Sequence, residues 1–238
     1  MLISVCYGSG ILNKSLTGSA LKIVAGAAML IDHIAVVMNR CMMLPAFAYY
    51  IMRGIGRLSF PVFAFLVAEG FAHTRSVKKY VIRMILFAVI SEVPFDMVNF
   101  GKIFCPARNN ILFTYILSLG ALWAFSKVCE NTAEKLIVAA LSAIAAVALS
   151  VILKTDYSYR GVLLVLIFYY FRSDKPAKYI LASLVLLMGG SLLSLAAPAA
   201  LLIIGFYDGT RGSLSGYAMY VFYPAHMFLI GLAGMLLS

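Results

Sequence analysis

The stretch LKIVAGAAMLIDHIAVVM, residues 21–38, decides the fold of this chain. It has the length and apolar character of a membrane-spanning helix, which needs about 20 such residues. An acid and an imidazole, Asp32 and His33, stand side by side within it. A charged side chain deep in a bilayer costs about 2.5–3.5 kcal/mol on insertion scales, so it is seldom retained without a partner or a function. We therefore predict that the rest of the chain forms helices gathered around this pair.

The composition is that of a membrane protein. Of the 238 residues, 63% are hydrophobic and only 12% are charged, whereas a soluble domain has about 25% charged residues. Apolar runs of about 20 residues, each bounded by charge or by Gly and Pro, recur along the chain. The fold class predicted is an all-α, polytopic transmembrane helical bundle.

The net charge of +10 does not indicate a nucleic-acid-binding protein. The 19 Lys and Arg residues are spread among the loops between apolar spans, without a basic stripe that interleaves aromatic residues. The four cysteines show no CxxC spacing, so no metal site is expected.

Nine spans are predicted, after an irregular cytoplasmic lead over residues 1–18. One transmembrane domain then covers residues 19–238. The second span contains Pro61, at which a kink is predicted, and the fifth is apolar throughout, as expected of a lipid-facing helix. The spans are 20–41, 49–72, 79–98, 109–127, 134–153, 160–172, 178–194, 196–207 and 216–237.

The distribution of positive charge predicts the orientation. With the N-terminus in the cytoplasm, the inner segments contain 12 of the 19 Lys and Arg residues and the outer side contains seven. This excess agrees with the positive-inside rule. The chain is therefore predicted to be a multi-pass protein of the bacterial cytoplasmic (inner) membrane with its N-terminus inside. Two of the outer cations, Arg53 and Arg57, lie within a span and need a separate explanation.

Four charged residues within spans form a predicted ion cluster. Arg53 and Arg57 share one face of the second span, and Glu92 and Asp96 stand at the same i, i+4 spacing in the third. Cations opposite anions are what a low-dielectric interior requires if ions are buried at all. A structural role in tying two helices together and a direct catalytic role are both open for these four residues.

His33 is the strongest candidate for proton transfer, because histidine takes and returns a proton near neutral pH. Adjacent helical residues point about 100° apart, so Asp32 is not expected to orient His33 directly. One of the two should face the arginines and the other a cavity. His226, in the segment YVFYPAH, is the second candidate, and Tyr223 lies on the same helix face. A histidine that is merely hydrogen-bonded in the core is the alternative for each.

Two further groups of residues are candidates for ligand contacts. Asn110 and Thr114, at the start of the fourth span, offer hydrogen bonds to a substrate, as does Tyr223. The basic turn after the second span has the charge to hold an anionic ligand such as a nucleotide phosphate, although positive-inside anchoring alone also explains such a turn. This turn contributes Arg75, Lys78, Lys79 and Arg83.

Several segments, in order, resemble the TraX family over residue 17 to the C-terminus. They are LKIVAGAAMLIDHI, RGIGRLSFPVFAFLVAEGFAHTR, VIRMILFAVISEVPFD, NILFT, YRGVLL and FYPAH. That family is named for a plasmid conjugation protein that acetylates the amino terminus of pilin, and it is similar to a wider group of transmembrane acyltransferases. The resemblance implies an enzyme that uses cytoplasmic acetyl-CoA and no metal, with His33 as the catalytic base and the CoA phosphates near Arg75, Lys78, Lys79 or Arg83.

The reaction expected is transfer of an acetyl group to an amine or hydroxyl of a protein, glycan or lipid acceptor. His33 would deprotonate the acceptor, Asp32 or the Glu92–Asp96 pair would stabilise the imidazolium, and Arg53 or Arg57 would stabilise the oxyanion. The bilayer, acetyl-CoA and the acceptor are the expected partners, and a homodimer is compatible with so small a chain. The alternatives are a small proton-coupled transporter or flippase that uses the same buried charges, and a scaffold in a secretion complex.

Overall fold

A computed structural model describes residues 15–128 and 132–237, and these residues form helices and short connections without a β-strand. Most of the predicted lead lies outside the described residues. Its last residues are described, and Gly18 already belongs to the first helix. The α-helices are α1 Gly18–Arg40, α2 Ala46–Gly56, α3 Ser59–His73, α4 Val77–Phe100, α5 Ile111–Ser126, α6 Thr132–Ile152, α7 Ser158–Tyr170, α8 Lys175–Leu187, α9 Ala199–Gly205 and α10 Gly216–Leu237, with a 3₁₀ helix at Leu192–Ala196.

The predicted spans agree with these helices within a few residues, except at the second and at the end of the seventh. The second span is two helices, and the break lies at Arg57 and Leu58, not at the predicted kink. Pro61 is the third residue of α3. A proline there is tolerated because the first N–H groups of a helix have no intrahelical acceptor. The predicted seventh span ends early, since α8 stops at Leu187 and the 3₁₀ helix follows.

Four stretches among the described residues are long and apolar enough to cross a membrane. They are Gly18–Arg40, Ala46–His73, Ala133–Ile152 and Gly216–Leu237. Shorter apolar helices lie at Ile111–Ser126, Ser158–Tyr170 and Leu192–Gly205. The chain is therefore a helical membrane protein, and the count of nine spans stays a prediction.

Contacts among helix ends and loops define two ends of the bundle, which we call proximal and distal. At the proximal end, the Gly18 amide donates to Thr210 O at 2.7 Å, and Arg172 after α7 pairs with Glu69 of α3 at 3.0 Å. At the distal end, Arg40 donates to Val98 O at 2.7 Å, and the Asn109 amide donates to Lys154 O at 3.1 Å. Thus α1 and α4 run from the proximal to the distal end, and α2 and α3 together form the return between them.

Small residues allow α10 to approach its neighbours closely. A Cβ at Gly231 would lie 2.6 Å from Met97 Cβ of α4, and one at Gly234 would collide with Val37 of α1. Close approach through glycine is typical of helices that pack within a bilayer. By contrast, α6 leaves large apolar side chains such as Leu136, Ile144 and Ile152 exposed, as predicted for a helix that faces lipid.

Candidate functional site

A cavity of about 750 Å³, here called the central cavity, runs along the inside of the bundle. Residues of both ends line it, from Gly18 and Arg211 at the proximal end to Arg108 and Asp156 at the distal end. Between them the wall includes charged and polar residues from several elements. Among these are Asp32, His33, Arg53 and Arg57, together with Tyr223 of α10 and Tyr157 of the loop before α7.

The two predicted histidines form a hydrogen-bonded pair. His33 Nδ1 lies 2.9 Å from His226 Nε2, and the two rings are stacked with centroids 5.1 Å apart. His226 Nδ1 in turn lies 2.6 Å from Phe222 O, and the Phe222 ring stacks on the imidazole. The pair joins α1 to α10 across 193 residues of sequence.

This chain of hydrogen bonds assigns the tautomers. A carbonyl oxygen only accepts, so His226 Nδ1 carries the proton and Nε2 of the neutral ring accepts. His33 Nδ1 must then donate to it, which leaves the lone pair on His33 Nε2. His33 lines the central cavity, whereas His226 stands behind it. The assignment follows from the hydrogen-bond network, and it gives His33 the protonation state that a general base requires.

Asp32 pairs with Arg53, whereas His33 pairs with His226, and both Asp32 and His33 line the central cavity. Asp32 Oδ2 accepts from Arg53 Nη1 at 2.5 Å, and both side chains are about five-sixths buried, with 17% of their surface exposed. The other oxygen, Oδ1, is shielded from solvent and has no hydrogen-bond partner. Asp32 also packs against Gly56, where any Cβ would collide with its carboxylate.

A second charged group lies at the break between α2 and α3. Arg57 donates to the Tyr157 hydroxyl at 3.0 Å, and Arg108 pairs with Asp156 at 3.3 Å. Asp156 and Tyr157 belong to the loop that precedes α7. Burial raises the pKa of the Asp156 carboxyl, against the opposing effect of Arg108, and burial raises the pKa of Tyr157 to about 12. The Tyr157 hydroxyl therefore keeps its proton at neutral pH.

The predicted opposition of Arg53 and Arg57 to Glu92 and Asp96 is wrong. Glu92 accepts hydrogen bonds from the backbone and side-chain amides of Asn110, and Asp96 accepts from the Cys105 amide at 2.7 Å. Neither acid lines the central cavity. Both carboxylates instead fasten the connection between α4 and α5, because one oxygen of each accepts from amide donors in that connection, while Asp96 Oδ1 stays buried without a partner.

Of the three predicted substrate contacts, one lines the central cavity and two do not. Tyr223 lines the central cavity. Asn110 is fully buried and caps α5 by accepting from the Leu112 amide at 3.0 Å. Thr114 is also fully buried, where it donates to Thr155 Oγ1 at 2.8 Å. Asn110 and Thr114 are thus structural contacts, away from the cavity wall.

Of the predicted anion-binding turn, only Arg83 lines the central cavity. Arg75, Lys78 and Lys79 are exposed on the surface of the proximal end. The cations that do line the cavity at this end are Lys22, Arg83 and Arg211. Each has no carboxylate within 4.0 Å in the described ranges, and Arg83 lies 5.4 Å from the centroid of the Tyr217 ring.

Sequence reasoning missed Lys22, Arg211 and Tyr157 as residues of this site. A signal for Lys22 exists, because it precedes His33 by 11 residues, or about three helical turns, and so shares its face of α1. That spacing puts Lys22 about 16 Å from His33 along the helix axis. Arg211 and Tyr157 come from loops, for which no periodic signal exists.

Comparisons with known proteins agree with the resemblance. The sequence profile described as TraX protein matches residues 17–233. The chain is also 29% identical to the probable fimbrial assembly protein FimC, serogroup H1, of Dichelobacter nodosus, over 95% of this chain and 99% of that protein. No solved structure matches the chain.

Proposed function

The chain belongs to the TraX family, and from that premise we propose that it is an integral-membrane acetyltransferase. The donor is acetyl-CoA, and the acceptor is an amine or hydroxyl, with the amino terminus of a pilin-like subunit favoured over a glycan or a lipid headgroup. The fimbrial name of its Dichelobacter relative supports that preference.

One observation carries the proposal: the free Nε2 of His33 lies on a cavity that also reaches unpaired cations at the proximal end. Lys22, Arg83 and Arg211 offer donors to phosphate groups there. The distance of about 16 Å along α1 between Lys22 and His33 suits an elongated thioester donor whose phosphates remain at the mouth. The residues present therefore fit acetyl-CoA.

The chemistry begins at His33. Its Nε2 removes a proton from the acceptor amine or hydroxyl as the acceptor attacks the thioester carbonyl. The proton of His33 Nδ1 stays in the hydrogen bond to His226, which holds the ring in place. When the carbon–sulfur bond breaks, the imidazolium returns its proton to the leaving thiolate. Nothing is oxidised or reduced, and each proton taken is given back.

The oxyanion that develops at the carbonyl needs a positively charged donor. Arg53 is already engaged by Asp32, whereas Arg57 donates only to a neutral hydroxyl; each of the two arginines keeps a buried Nε without a partner. Arg57 is therefore the better candidate of the two. The carboxylate of Asp32 offsets the charge that His33 gains, in place of the Glu92–Asp96 pair.

We place the proximal end in the cytoplasm. Its loops and helix ends carry most of the described Lys and Arg residues, as the positive-inside rule requires of a cytoplasmic face. Acetyl-CoA would then enter the cavity at the proximal end of the bundle, on the cytoplasmic side of the bacterial inner membrane. The distal opening beside Arg108 and Asp156 would admit the acceptor.

The test is acetyl-CoA turnover by purified protein in lipid nanodiscs, followed as release of free CoA in the presence of a peptide with the amino terminus of a pilin. We expect His33→Gln to lower kcat by about 10²–10⁴-fold, the usual contribution of a general base. Lys102→Gln, a change in the exposed distal loop, is the matched control and should leave turnover unchanged.

Full activity in the folded His33→Gln protein would refute the assignment of the base. Wild-type protein that neither binds nor turns over acetyl-CoA would refute the enzyme. In that case, uptake driven by a pH gradient across vesicles would favour the proton-coupled transporter, which a cavity reaching both ends also suits.

A further inference from the structure

A second, smaller cavity lies behind Arg57, and we call it the side pocket. It has a volume of about 130 Å³, well above the roughly 10–15 Å³ that a single water needs. Arg57, Phe60 and Tyr157 form the wall that it shares with the central cavity. Its remaining wall comes from α7, α8 and the segment up to Ala197.

One side of the side pocket is rich in hydrogen-bond donors. Arg160, in the first turn of α7, lines it together with Ser191 and Ser194, whose hydroxyls are 3.0 Å apart. Arg57 adds a buried Nε that has no partner. The first turn of a helix also contributes positive electrostatic potential. These groups together fit an anion.

No carboxylate neutralises this side in the described part of the chain. Arg160 has no acid within 4.0 Å, and its guanidinium lies over the Tyr157 ring at 6.0 Å. The acids nearest Arg57, Asp32 and Asp156, already pair with Arg53 and Arg108. An anion in the pocket would therefore not compete with an internal ion pair of Arg160.

Glycine at position 189 keeps the pocket open. A Cβ there would lie 2.7 Å from the Arg160 guanidinium and would collide with Ser194. The side chains of Arg160 and Ser194 occupy that space, which brings their donors to one wall.

The surroundings of the pocket are apolar and exposed. Val185, Leu186 and Leu193 line its other side. Beside it, Met188 is 55% exposed, Leu192 86% and Leu195 63%, as expected of side chains in contact with lipid tails. Arg160 follows the 153–157 loop of the distal end, so the pocket lies at the level of the distal headgroups.

We propose that the side pocket binds the phosphate group of a phospholipid from the distal leaflet. Arg160 and the two serines donate to the phosphate, and the acyl chains lie along Met188, Leu192 and Leu195. The side pocket shares Arg57 with the proposed acetyl-transfer site, whereas Arg160 and the two serines line only the side pocket, so lipid binding does not require acetyl transfer.

The experiment measures lipid binding to the full-length protein in detergent by native mass spectrometry and by thermal stability. We expect one phosphatidylglycerol to remain bound after delipidation and to raise the Tm, whereas a diacylglycerol with the same chains, which lacks the phosphate, does neither. Arg160→Gln should weaken phosphatidylglycerol binding by about tenfold, the loss of one charge-assisted hydrogen bond. Ser194→Ala should weaken it less, and Arg160→Lys should restore part of it.

Lys102→Gln removes an exposed distal cation that does not line the side pocket and is the matched control. Equal losses in Arg160→Gln and Lys102→Gln would overturn the site, as would tight binding of diacylglycerol. An equal rise in Tm with inorganic phosphate or glycerol 3-phosphate would identify a free phosphate as the ligand and overturn the lipid assignment. If Arg160→Gln fails to fold, the Ser194→Ala variant and the comparison with diacylglycerol still test whether the pocket binds the lipid phosphate.

Discussion

At the scale of single residues, the proposed mechanism gives each imidazole of the site a different task. His33 lines the central cavity, and His226 Nε2 accepts the hydrogen bond from His33 Nδ1 on the side away from the cavity. His226 is in turn fixed by the Phe222 carbonyl and by the Phe222 ring. Since a hydrogen-bond partner sets both the tautomer and the orientation of a histidine, His226 is a positioning residue.

Replacement of His226 should therefore lower kcat more than it alters donor binding. We expect His226→Leu to reduce kcat by about 10–100-fold with the KM for acetyl-CoA unchanged. His226→Gln should recover part of the loss, because its amide oxygen can accept from His33 Nδ1. Steady-state kinetics of the purified variants checks this, and a change confined to KM would contradict the positioning role.

Gly56 permits the close approach of α2 to Asp32. The Cβ of Gly56→Ala would collide with the carboxylate, so Asp32 must move and its pair with Arg53 must break. Because breaking a buried pair leaves a charge without compensation, we expect a loss of about 3–5 kcal/mol in stability. A large fall in Tm in detergent is the readout, and Gly120→Ala, where a Cβ meets nothing within 4 Å, is the control.

The sequence indicated some of these residues for a physical reason. Asp32 and His33 stand out because ions are costly in an apolar run, and Arg53 and Arg57 because they share a helix face. The partners of Glu92 and Asp96 were not predictable, since they lie in the 101–110 connection. No periodicity tells how an irregular connection folds back on a helix.

Prolines show the limits of sequence reasoning at the scale of the helix. Pro61 was expected to kink a span, but the chain breaks four residues earlier and Pro61 fits the first turn of α3. Pro94 lies within α4, which continues to Phe100. Helix positions were predictable from apolar runs, whereas the break lies where Arg57 contacts Tyr157 of the loop before α7, a contact that no apolar run predicts.

The start of α5 provides a stability prediction. Asn110 accepts from the Leu112 amide and donates to Ala88 O at 2.8 Å and to Glu92. Loss of an N-cap costs about 1 kcal/mol, and loss of the side-chain donor to Ala88 O and Glu92 adds about 1–3 kcal/mol, although the backbone amide of residue 110 still reaches Glu92. We expect Asn110→Ala to lower the Tm while the KM for the acceptor stays unchanged. A raised KM for the acceptor, with an unaltered Tm, would contradict this structural role and would support the prediction that Asn110 contacts the substrate.

At the scale of the whole molecule, the class of fold and the alternation of helix direction follow from apolar runs and short loops, so they were predictable. The central cavity was not, because it depends on which faces of distant helices meet.

The orientation can be tested with single cysteines in a variant whose four native cysteines are replaced. We expect Lys102→Cys in the distal loop to react with a membrane-impermeant maleimide added to intact cells. Lys79→Cys at the proximal end should react only after the membrane is opened. Both positions are exposed, so the reverse pattern would place the N-terminus outside.

A cavity that reaches both ends has a bioenergetic consequence. Water that filled it from Arg211 to Arg108 would let protons cross the membrane, with the paired imidazoles able to accept and pass on a proton. Each proton that crossed in this way would dissipate about 2.3 kcal/mol of free energy per 100 mV of membrane potential. If the protein is the proposed acetyltransferase, its resting state must keep this path closed to protons, and bound acetyl-CoA would block it during turnover.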